Sequence, residues 1–386
     1  MPLTEQLDRL AAFEPAPYPV VSLYLNTQPN QHGRDNYQTF TKREFKARQQ
    51  TYGSNTPERD SLEHDIERIS RYLETELQPS AHGVAIFACH AGEFFEAVQL
   101  DAPIEDHWLS IGDQPHLYPL ARIVSQFPRY AAVLADTHAT RILVVAQNTV
   151  SDAHSIEGVK TRRTSQGGWS QARFQRHIEN YHLQHVKDVI EALDRIVMRE
   201  GIDQILIAGD PGVLPLLREQ MPKHLAEKVV DELKTDLAGI SNDEVVKAAL
   251  ESMRRLNERI DREKVDAAVG AYRAGGLGVV GPDRTLLALT NGQVDELLLT
   301  ASLSTLGALH NTPAAVMALA NDGGLAEPAV ETTVAGEPAQ ADVGTVRLAD
   351  ELVTKAHQTA ARVTFIEDAA LLEPYGGVAA LLRFRV

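Results

Sequence analysis

The strongest constraint on this sequence is a basic, glycine-centred stretch that opens directly into a long amphipathic helix. Lys160 to Arg176 carries cations and no acid, although the whole chain has a net charge of −16. The central pair Gly167-Gly168 can adopt backbone angles that side chains forbid. A helical pattern follows over about 173–200. The sequence therefore predicts a loop that precedes a rigid helix and can insert its backbone into a narrow, phosphate-rich site. The alternative, which charge alone favours, is an ordinary solvated loop.

The residues of this loop resemble a known signature. G-G-W-S-Q-A-R-F-Q-R, read from Gly167, is similar to the G-G-Q-S-A-x-R-F-x-R motif of the archaeo-eukaryotic peptide-release-factor family, which has bacterial members. The residues in register are Gly167, Gly168, Ser170, Arg173, Phe174 and Arg176. The resemblance implies an α/β fold of three domains in the release-factor arrangement. It also implies a loop that reaches the peptidyl-transferase centre and helps water cleave the ester of peptidyl-tRNA.

The sequence departs from that signature at one position. Trp169 stands where the family has glutamine, and the nearest glutamine, Gln171, lies two residues later. Either Gln171 reaches the water while Trp169 stacks on a nucleobase, a contact of about 1–3 kcal/mol, or hydrolysis is lost and the loop only anchors the protein to RNA. The predicted catalytic residues are Gly167, Gly168 and Gln171. The predicted RNA-binding residues are Lys160, Arg162, Arg163, Trp169, Ser170, Arg173 and Arg176.

Composition narrows the class of protein. A chain of 386 residues predicts two or three domains, and its 44% hydrophobic content allows each of them a core. The single cysteine, Cys89, excludes an internal disulfide framework and a cysteine-based zinc site. We recognise no signal peptide and no run of the ~18 apolar residues that a membrane span needs. The expected location is the cytoplasm.

The N-terminal domain is predicted over residues 1–128. A β-rich run at 20–25 is followed by helical patterns at about 36–51 and 58–77, then by a hairpin of two strands, 83–88 and 94–98, around Gly92. The first helix carries cations that could touch RNA, although a solvated face is the commoner meaning of such a pattern. No Asn-Ile-Lys-Ser type of motif is present, so stop-codon reading is not expected.

The central domain is predicted over residues 129–265, as a mixed sheet with helices and the protruding glycine loop. Strands are expected at 130–136 and 141–147, with a third leading into the loop, and a buried strand at 204–209 follows the long helix. Helical patterns are expected from about 213, at 222–238 and at 242–273.

The C-terminal domain is predicted over residues 266–386. Strands at 277–281, 294–299, 362–366 and 378–384 alternate with helices at 282–289 and 347–360. This succession resembles the α/β/α fold related to kink-turn-binding ribosomal proteins. Residues 302–345 contain no Lys or Arg and are predicted to be an insertion that is partly flexible.

Other motifs are weaker. Gly276-Leu-Gly278-Val-Val-Gly281 fits G-x-G-x-x-G, but its glycines lie along the strand instead of following it, which disfavours nucleotide binding. His182 and His185 could share a metal, yet no third ligand has matching spacing, so surface or stacking histidines are expected. We see no arranged catalytic triad. A nuclease is a third class, but no acid cluster in the central domain suits magnesium. No cofactor and no metal are expected.

The sequence predicts a translation factor that enters the ribosomal A site and hydrolyses peptidyl-tRNA, as in rescue. The alternative is a non-catalytic factor for stalled or hibernating ribosomes that uses the same loop as an RNA anchor. The expected partners are ribosomal RNA and P-site peptidyl-tRNA, and a helper GTPase stays open. We expect neither a membrane nor DNA as a partner.

Overall fold

The computed structural model divides the protein into two compact units. Unit 1 contains Met1–Gln126 and Glu258–Val386, and unit 2 contains Phe127–Asn257. The described residues are 3–14, 17–28, 37–101, 104, 106–126, 130–135, 139–146, 149–157, 171–209, 212–234, 242–307, 333–336 and 343–385. They form α-helices and three β-sheets, so the predicted α/β class is confirmed.

The first sheet of unit 1 is antiparallel and has the strand order β12-β4-β1-β2-β3. Its elements, with the helices of the same segment, are α1 (Leu3–Ala11), β1 (Val20–Asn26), α2 (Tyr37–Gln49), α3 (Pro57–Thr75), β2 (Gly83–Cys89), β3 (Phe94–Leu100), β4 (Trp108–Gly112), α4 (Tyr118–Gln126) and β12 (Thr333–Gly336). A 3₁₀ turn at His90–Gly92 joins β2 to β3.

The predicted hairpin around Gly92 and the two helices before it are confirmed. Strand β1 is buried on both faces, which explains its continuous apolar run. Val21, Leu23 and Leu25 pack with α2 and α3, whereas Tyr24 belongs to a second core on the opposite face. The sequence reading did not predict α1, β4 or α4.

The C-terminal part of unit 1 contains a second sheet, in the order β10-β14-β11-β13, with β11 and β13 parallel. Its elements are the second half of α8 (Asn242–Arg273), β10 (Gly278–Val280), α9 (Pro282–Thr290), β11 (Val294–Thr300), α10 (Val343–Gln358), β13 (Arg362–Ile366) and β14 (Val378–Leu382). Leu298 packs against α8, and its neighbours Leu297 and Leu299 pack toward α9 and α10. Helices therefore cover both faces, as the α/β/α prediction required.

Part of the predicted insertion 302–345 is ordered into unit 1, which the sequence reading missed. Leu303 and Leu306 are buried in the core. Thr333–Gly336 pairs antiparallel with β4 and becomes the edge strand of the first sheet. A four-residue strand set among many alanines and threonines has too short a pattern to be recognised. Residues 308–332 and 337–342 lie outside the described residues.

One hydrophobic core joins the N-terminal and C-terminal segments of unit 1. Leu7, Trp108 and Leu120 belong to the same cluster of buried residues as Leu297 and Leu352. The three-domain division at 128 and 265 stays a prediction, but the segments on either side of unit 2 share this core.

A buried carboxylate links the N-terminal and C-terminal segments of unit 1, which are far apart in the sequence. Asp350 of α10 accepts hydrogen bonds from the backbone N–H groups of Leu117 and Tyr118, at 2.9 and 3.1 Å, where α4 begins. Its other oxygen lies 2.7 Å from Nδ1 of His116, and both side chains are less than a tenth exposed. An anion is favoured at a helix N-terminus, where backbone donors lack partners. Asp350 thus supplies to α4 the cap that its own sequence lacks.

Unit 2 contains a mixed five-stranded sheet in the order β7-β6-β5-β8-β9. Its elements are β5 (Tyr130–Ala135), β6 (Ala139–Ala146), β7 (Thr149–Glu157), α5 (Gln171–Glu200), β8 (Gln204–Gly209), α6 (Leu214–Gln220), α7 (Lys223–Ala226), β9 (Val229–Lys234) and the first half of α8. Strands β5, β6 and β7 are antiparallel neighbours, whereas β5, β8 and β9 are parallel. The mixed sheet was predicted.

The helix predicted at 222–238 is wrong. Only Lys223–Ala226 is helical, and Val229–Lys234 is a strand parallel to β8. The β-branched pair Val229-Val230 favours a strand, and pairing with the buried strand β8 outweighs the weak helical periodicity. Among the described residues, no helix combines the length and the apolar character needed to cross a bilayer.

Replacing Asp350 tests the link between the two segments. We expect Asp350→Ala to lower the free energy of unfolding by about 3–5 kcal/mol, because it leaves three buried groups, Nδ1 of His116 and the backbone N–H groups of Leu117 and Tyr118, without the carboxyl that they contact. Asp350→Asn keeps an acceptor for the α4 amides and should cost less. Fluorescence of Trp108, whose ring lies 5.0 Å from that of His116, reports the transition in a Trp169→Phe background during urea unfolding.

The matched control is Asp266→Ala, since Asp266 is exposed on α8. It should change the unfolding free energy by no more than about 0.5 kcal/mol. Equal effects of the two substitutions would show that the Asp350 contacts do not hold unit 1 together.

Candidate functional site

The predicted functional loop lies between β7 and α5 of unit 2. Strand β7 ends at Glu157 and α5 begins at Gln171, so the loop spans residues 158–170. The predicted site residues Lys160, Arg162, Arg163, Gly167, Gly168, Trp169 and Ser170 lie outside the described residues. Gln171, Arg173 and Arg176 fall in the first two turns of α5, and only their backbone is described. Their assignment as catalytic or RNA-binding residues therefore stays a prediction.

The described part of α5 packs firmly on the sheet. Val186, Val189, Leu193 and Val197 recur at helical spacing and are all buried. They share a core with the apolar faces of β5, β6 and β8. The long amphipathic helix predicted from this pattern is confirmed, two residues earlier at its start than the pattern indicated. The loop is thus followed by a helix whose position is fixed over its later turns.

One polar contact fixes α5 near its middle. His185 is buried, and its Nε2 lies 3.1 Å from the hydroxyl of Thr140 on β6. The prediction that His185 is a surface or stacking residue is wrong. A histidine on the apolar stripe of a helix is satisfied here by a hydroxyl on the facing strand, which the sequence pattern of α5 alone does not reveal.

Ion pairs attach the C-terminal part of α5 to its neighbours. Arg199 lies 3.1 Å from Asp152 of β7, the strand that leads into the loop. Asp194 lies 2.9 Å from Nε2 of His224 on α7. Solvent screens exposed pairs of this kind, so the apolar face of α5 carries most of its attachment.

The parallel strands β5 and β8 of unit 2 approach each other closely at their carboxyl ends. A Cβ placed on Gly209, the last residue of β8, would clash with the backbone carbonyl of Ala135, the last residue of β5. Glycine is required there by lack of space and not by its backbone angles. The sequence signal for this position was only a glycine at the end of an apolar run.

The described residues offer no metal centre. They contain no group of three or more histidine, cysteine, aspartate or glutamate side chains placed to hold a metal ion. Cys89 is buried, and burial raises the pKa of its thiol. Its prediction as a core residue agrees with that position.

A second basic surface lies on α2. Lys42, Arg43 and Lys46 are exposed on this helix, and Arg43 pairs with Glu44 at 2.8 Å. The sequence predicted either RNA contact or a solvated face for this helix. Both interpretations require exposed cations, which the structure shows.

Comparison with known proteins places unit 2 in context. Residues 115–254 match the sequence model of bacterial archaeo-eukaryotic release factor family 10. This range contains the loop and both of its flanking elements, and it confirms the resemblance predicted from the loop's residues.

More distant similarities extend beyond that range. A peptide chain release factor subunit 1 of Picrophilus torridus is 22% identical over 255 residues. The alignment covers 62% of this chain and 62% of that relative, so the chain spans about three fifths of the relative's length.

Among solved structures, Pelota of Archaeoglobus fulgidus is 14% identical with a TM-score of 0.33, and the alignment covers 79% of this chain and 80% of that one. A translation termination-like factor of S. cerevisiae is 12% identical with a TM-score of 0.41, covering 76% and 73%.

A glycine substitution tests the close approach of β8 to β5. We expect Gly209→Ala to destabilise the protein by about 1–3 kcal/mol, because the added methyl meets a backbone carbonyl that has little room to move. Gly270→Ala is the matched control: a Cβ there has no neighbour within 4 Å, and alanine favours the helix by about 0.5–1 kcal/mol. Thermal unfolding followed by circular dichroism should show opposite shifts; equal shifts would contradict the close approach.

Proposed function

We propose that this chain, whose residues 115–254 match the sequence model of bacterial archaeo-eukaryotic release factor family 10, is a ribosome-associated translation factor that hydrolyses peptidyl-tRNA in the A site. The observation that carries the proposal is the sequence G-G-W-S-Q-A-R-F-Q-R, which stands in register with the family signature and ends in the first turns of α5. The family match over 115–254 includes this sequence. The proposed act is rescue-type release, since the N-terminal segment lacks a codon-reading motif of the Asn-Ile-Lys-Ser type.

The chemistry asks little of titrating side chains. The ester of peptidyl-tRNA is already reactive, so a catalyst has to place one water and stabilise a developing oxyanion. Placement of a reactant can supply up to roughly 7–11 kcal/mol, and one backbone N–H aimed at an oxyanion can add about 3 kcal/mol. Gly167 and Gly168 would leave room for the tRNA end and let the main chain supply such donors.

The proposal assigns separate roles to the two residues that differ from the signature. Gln171, as the first residue of α5, would hold the water through its amide. Trp169 would stack on a nucleobase, a contact worth about 1–3 kcal/mol. The cations Arg162, Arg163 and Arg173 would neutralise phosphates, which the net charge of −16 of the whole chain does not prevent.

The second candidate is a non-catalytic factor that binds stalled or hibernating ribosomes. The observation that favours it is Trp169, which places a bulky indole where the family has a compact amide. In that case the loop anchors the protein to ribosomal or transfer RNA without placing water. Both candidates act on ribosomes in the cytoplasm, and both leave room for a helper GTPase.

Peptide release separates the two candidates. On ribosomes with labelled peptidyl-tRNA in the P site and an empty A site, we expect the wild type to release peptide. Gly168→Ala and Gln171→Ala should each reduce the rate about 10²- to 10³-fold, the loss typical when one oxyanion donor or positioning group is removed. The measurement is the single-turnover release rate at saturating protein.

Matched controls are Gly270→Ala, at an open position of α8, and Gln184→Ala, an exposed glutamine of α5 that donates to Asp188. Both should release at the wild-type rate. Ribosome binding without release by the wild type would favour the non-catalytic candidate. Release that survives both loop substitutions would remove this loop from the mechanism.

Salt dependence tests the engagement of RNA. Ribosome binding should weaken as salt rises, because each neutralised phosphate releases counterions. The double variant Arg173→Ala/Arg176→Ala should reduce the slope of log K against log salt by about 1.4–1.8, at roughly 0.7–0.9 per phosphate contact. Lys187→Ala/Arg195→Ala, exposed cations farther along α5, should leave the slope unchanged. Cosedimentation at a series of salt concentrations measures it, and equal slopes for the two double variants would contradict the assignment.

A further inference from the structure

The turn between β2 and β3 is held on α3 by two successive backbone N–H groups. The N–H of His90 donates to Oδ2 of Asp65 at 2.9 Å, and the N–H of Ala91 donates to the hydroxyl oxygen of Ser61 at 3.1 Å. Ser61 and Asp65 are one helical turn apart on α3, so they form a single receiving surface for the turn. These contacts lie in unit 1, whereas the proposed functional loop belongs to the sequence of unit 2.

Two exposed imidazoles add a third contact. The rings of His64 on α3 and His90 in the turn stack with 4.3 Å between centroids and 9° between planes. Nδ1 of His64 lies 2.7 Å from the carbonyl oxygen of Asp60, which fixes that ring. The turn is therefore docked by one carboxyl, one hydroxyl and one ring.

The carboxyl of Asp65 is placed badly for a permanent charge. Asp65 is 1% exposed, and its Oδ1 is buried without a hydrogen-bond partner among the described residues. Burial raises the pKa of Asp65 to about 7, against the lowering effects of the His90 N–H, Arg68 and His64. A buried carboxylate that lacks a full set of donors is costly, whereas the neutral acid is not.

Within the described ranges, the neighbours of Asp65 do not supply a compensating ion pair. Arg68 and His64 act on the carboxyl from its own helix, but Arg68 lies over the ring of Phe95 on β3, at 4.1 Å. The β2 strand brings the buried thiol of Cys89. The β1 strand and α2 face α3 with apolar side chains, among them Leu23 and Phe45.

We propose that α3 and the turn His90–Gly92 form a proton-operated latch, in which the turn is docked while the Asp65 carboxyl is protonated and docked more weakly once it ionises. When the turn opens, Asp65 meets water and returns to the ordinary acidity of an aspartate. Between about pH 4 and 7 the docked state therefore binds more protons than the open state. Rising pH favours opening in this window, and above it both states are ionised and the effect ends. The latch would respond to pH in the physiological range, independently of the proposed function.

The histidine stack does not involve the carboxyl, so the two contributions to docking are separable by substitution. Asp65→Asn retains an oxygen for the His90 N–H and removes the carboxyl titration. His64→Ala removes the stack and retains the carboxyl.

Amide hydrogen exchange at His90 and Ala91, corrected for the intrinsic exchange rate, measures opening of the turn in the full chain. The ratio of the opening constants of wild type and Asp65→Asn should rise about tenfold for each pH unit from 5 to 7 and then level off. His64→Ala, which removes the stack and keeps the carboxyl, should show the same carboxyl-dependent rise. A pH-independent ratio, or His64→Ala with no rise, would overturn the proposal. As the readout is local and needs no ribosome, it stands or falls separately from peptide release.

Discussion

The carboxylate of Asp350 is the contact on which the organisation of this protein depends. It accepts the first backbone donors of α4 and pairs with His116, although these groups are more than two hundred residues away along the chain. Around it the N-terminal and C-terminal segments share one hydrophobic core. Unit 2 is thereby an insertion within unit 1, entered after Gln126 and left before Glu258. A segment inserted in this way can carry a functional loop without contributing to the core that holds its host together.

The elements that the sequence predicted correctly are those whose pattern is long or whose neighbours are local. An unbroken apolar run or a helical spacing of apolar residues indicates each of three such elements: the buried strand β1, the hairpin of β2 and β3, and the helix α5. The errors arise where a partner distant in the chain decides the structure. Val229–Lys234 becomes a strand because β8 offers an edge, and Thr333–Gly336 becomes one because β4 does. Similarly, His185 looks like a surface residue until Thr140 is placed opposite it.

The candidate site was predicted from sequence in a different way. Its signal is a row of residue types in fixed register, and the family match over 115–254 supports that signal independently of any side-chain geometry. The structure adds the two elements on either side of the loop. These are a strand that ends at Glu157 and a helix, anchored by its apolar face, that begins at Gln171. The polar groups of unit 1 that hold α4 and the β2–β3 turn could not be found in this way. Asp350 and Asp65 accept hydrogen bonds from backbone N–H groups, and no sequence motif marks such contacts.

The central claim is that the loop between β7 and α5 carries main chain to the ester of peptidyl-tRNA. A photoreactive amino acid at Trp169, activated on ribosomes that hold P-site peptidyl-tRNA, tests this most directly. The account predicts a crosslink to the terminal adenosine of that tRNA or to the large-subunit RNA around it, and none from the same probe at Gln184. A crosslink from position 169 to ribosomal protein or RNA far from the peptide ester, or no crosslink from bound protein, would contradict it.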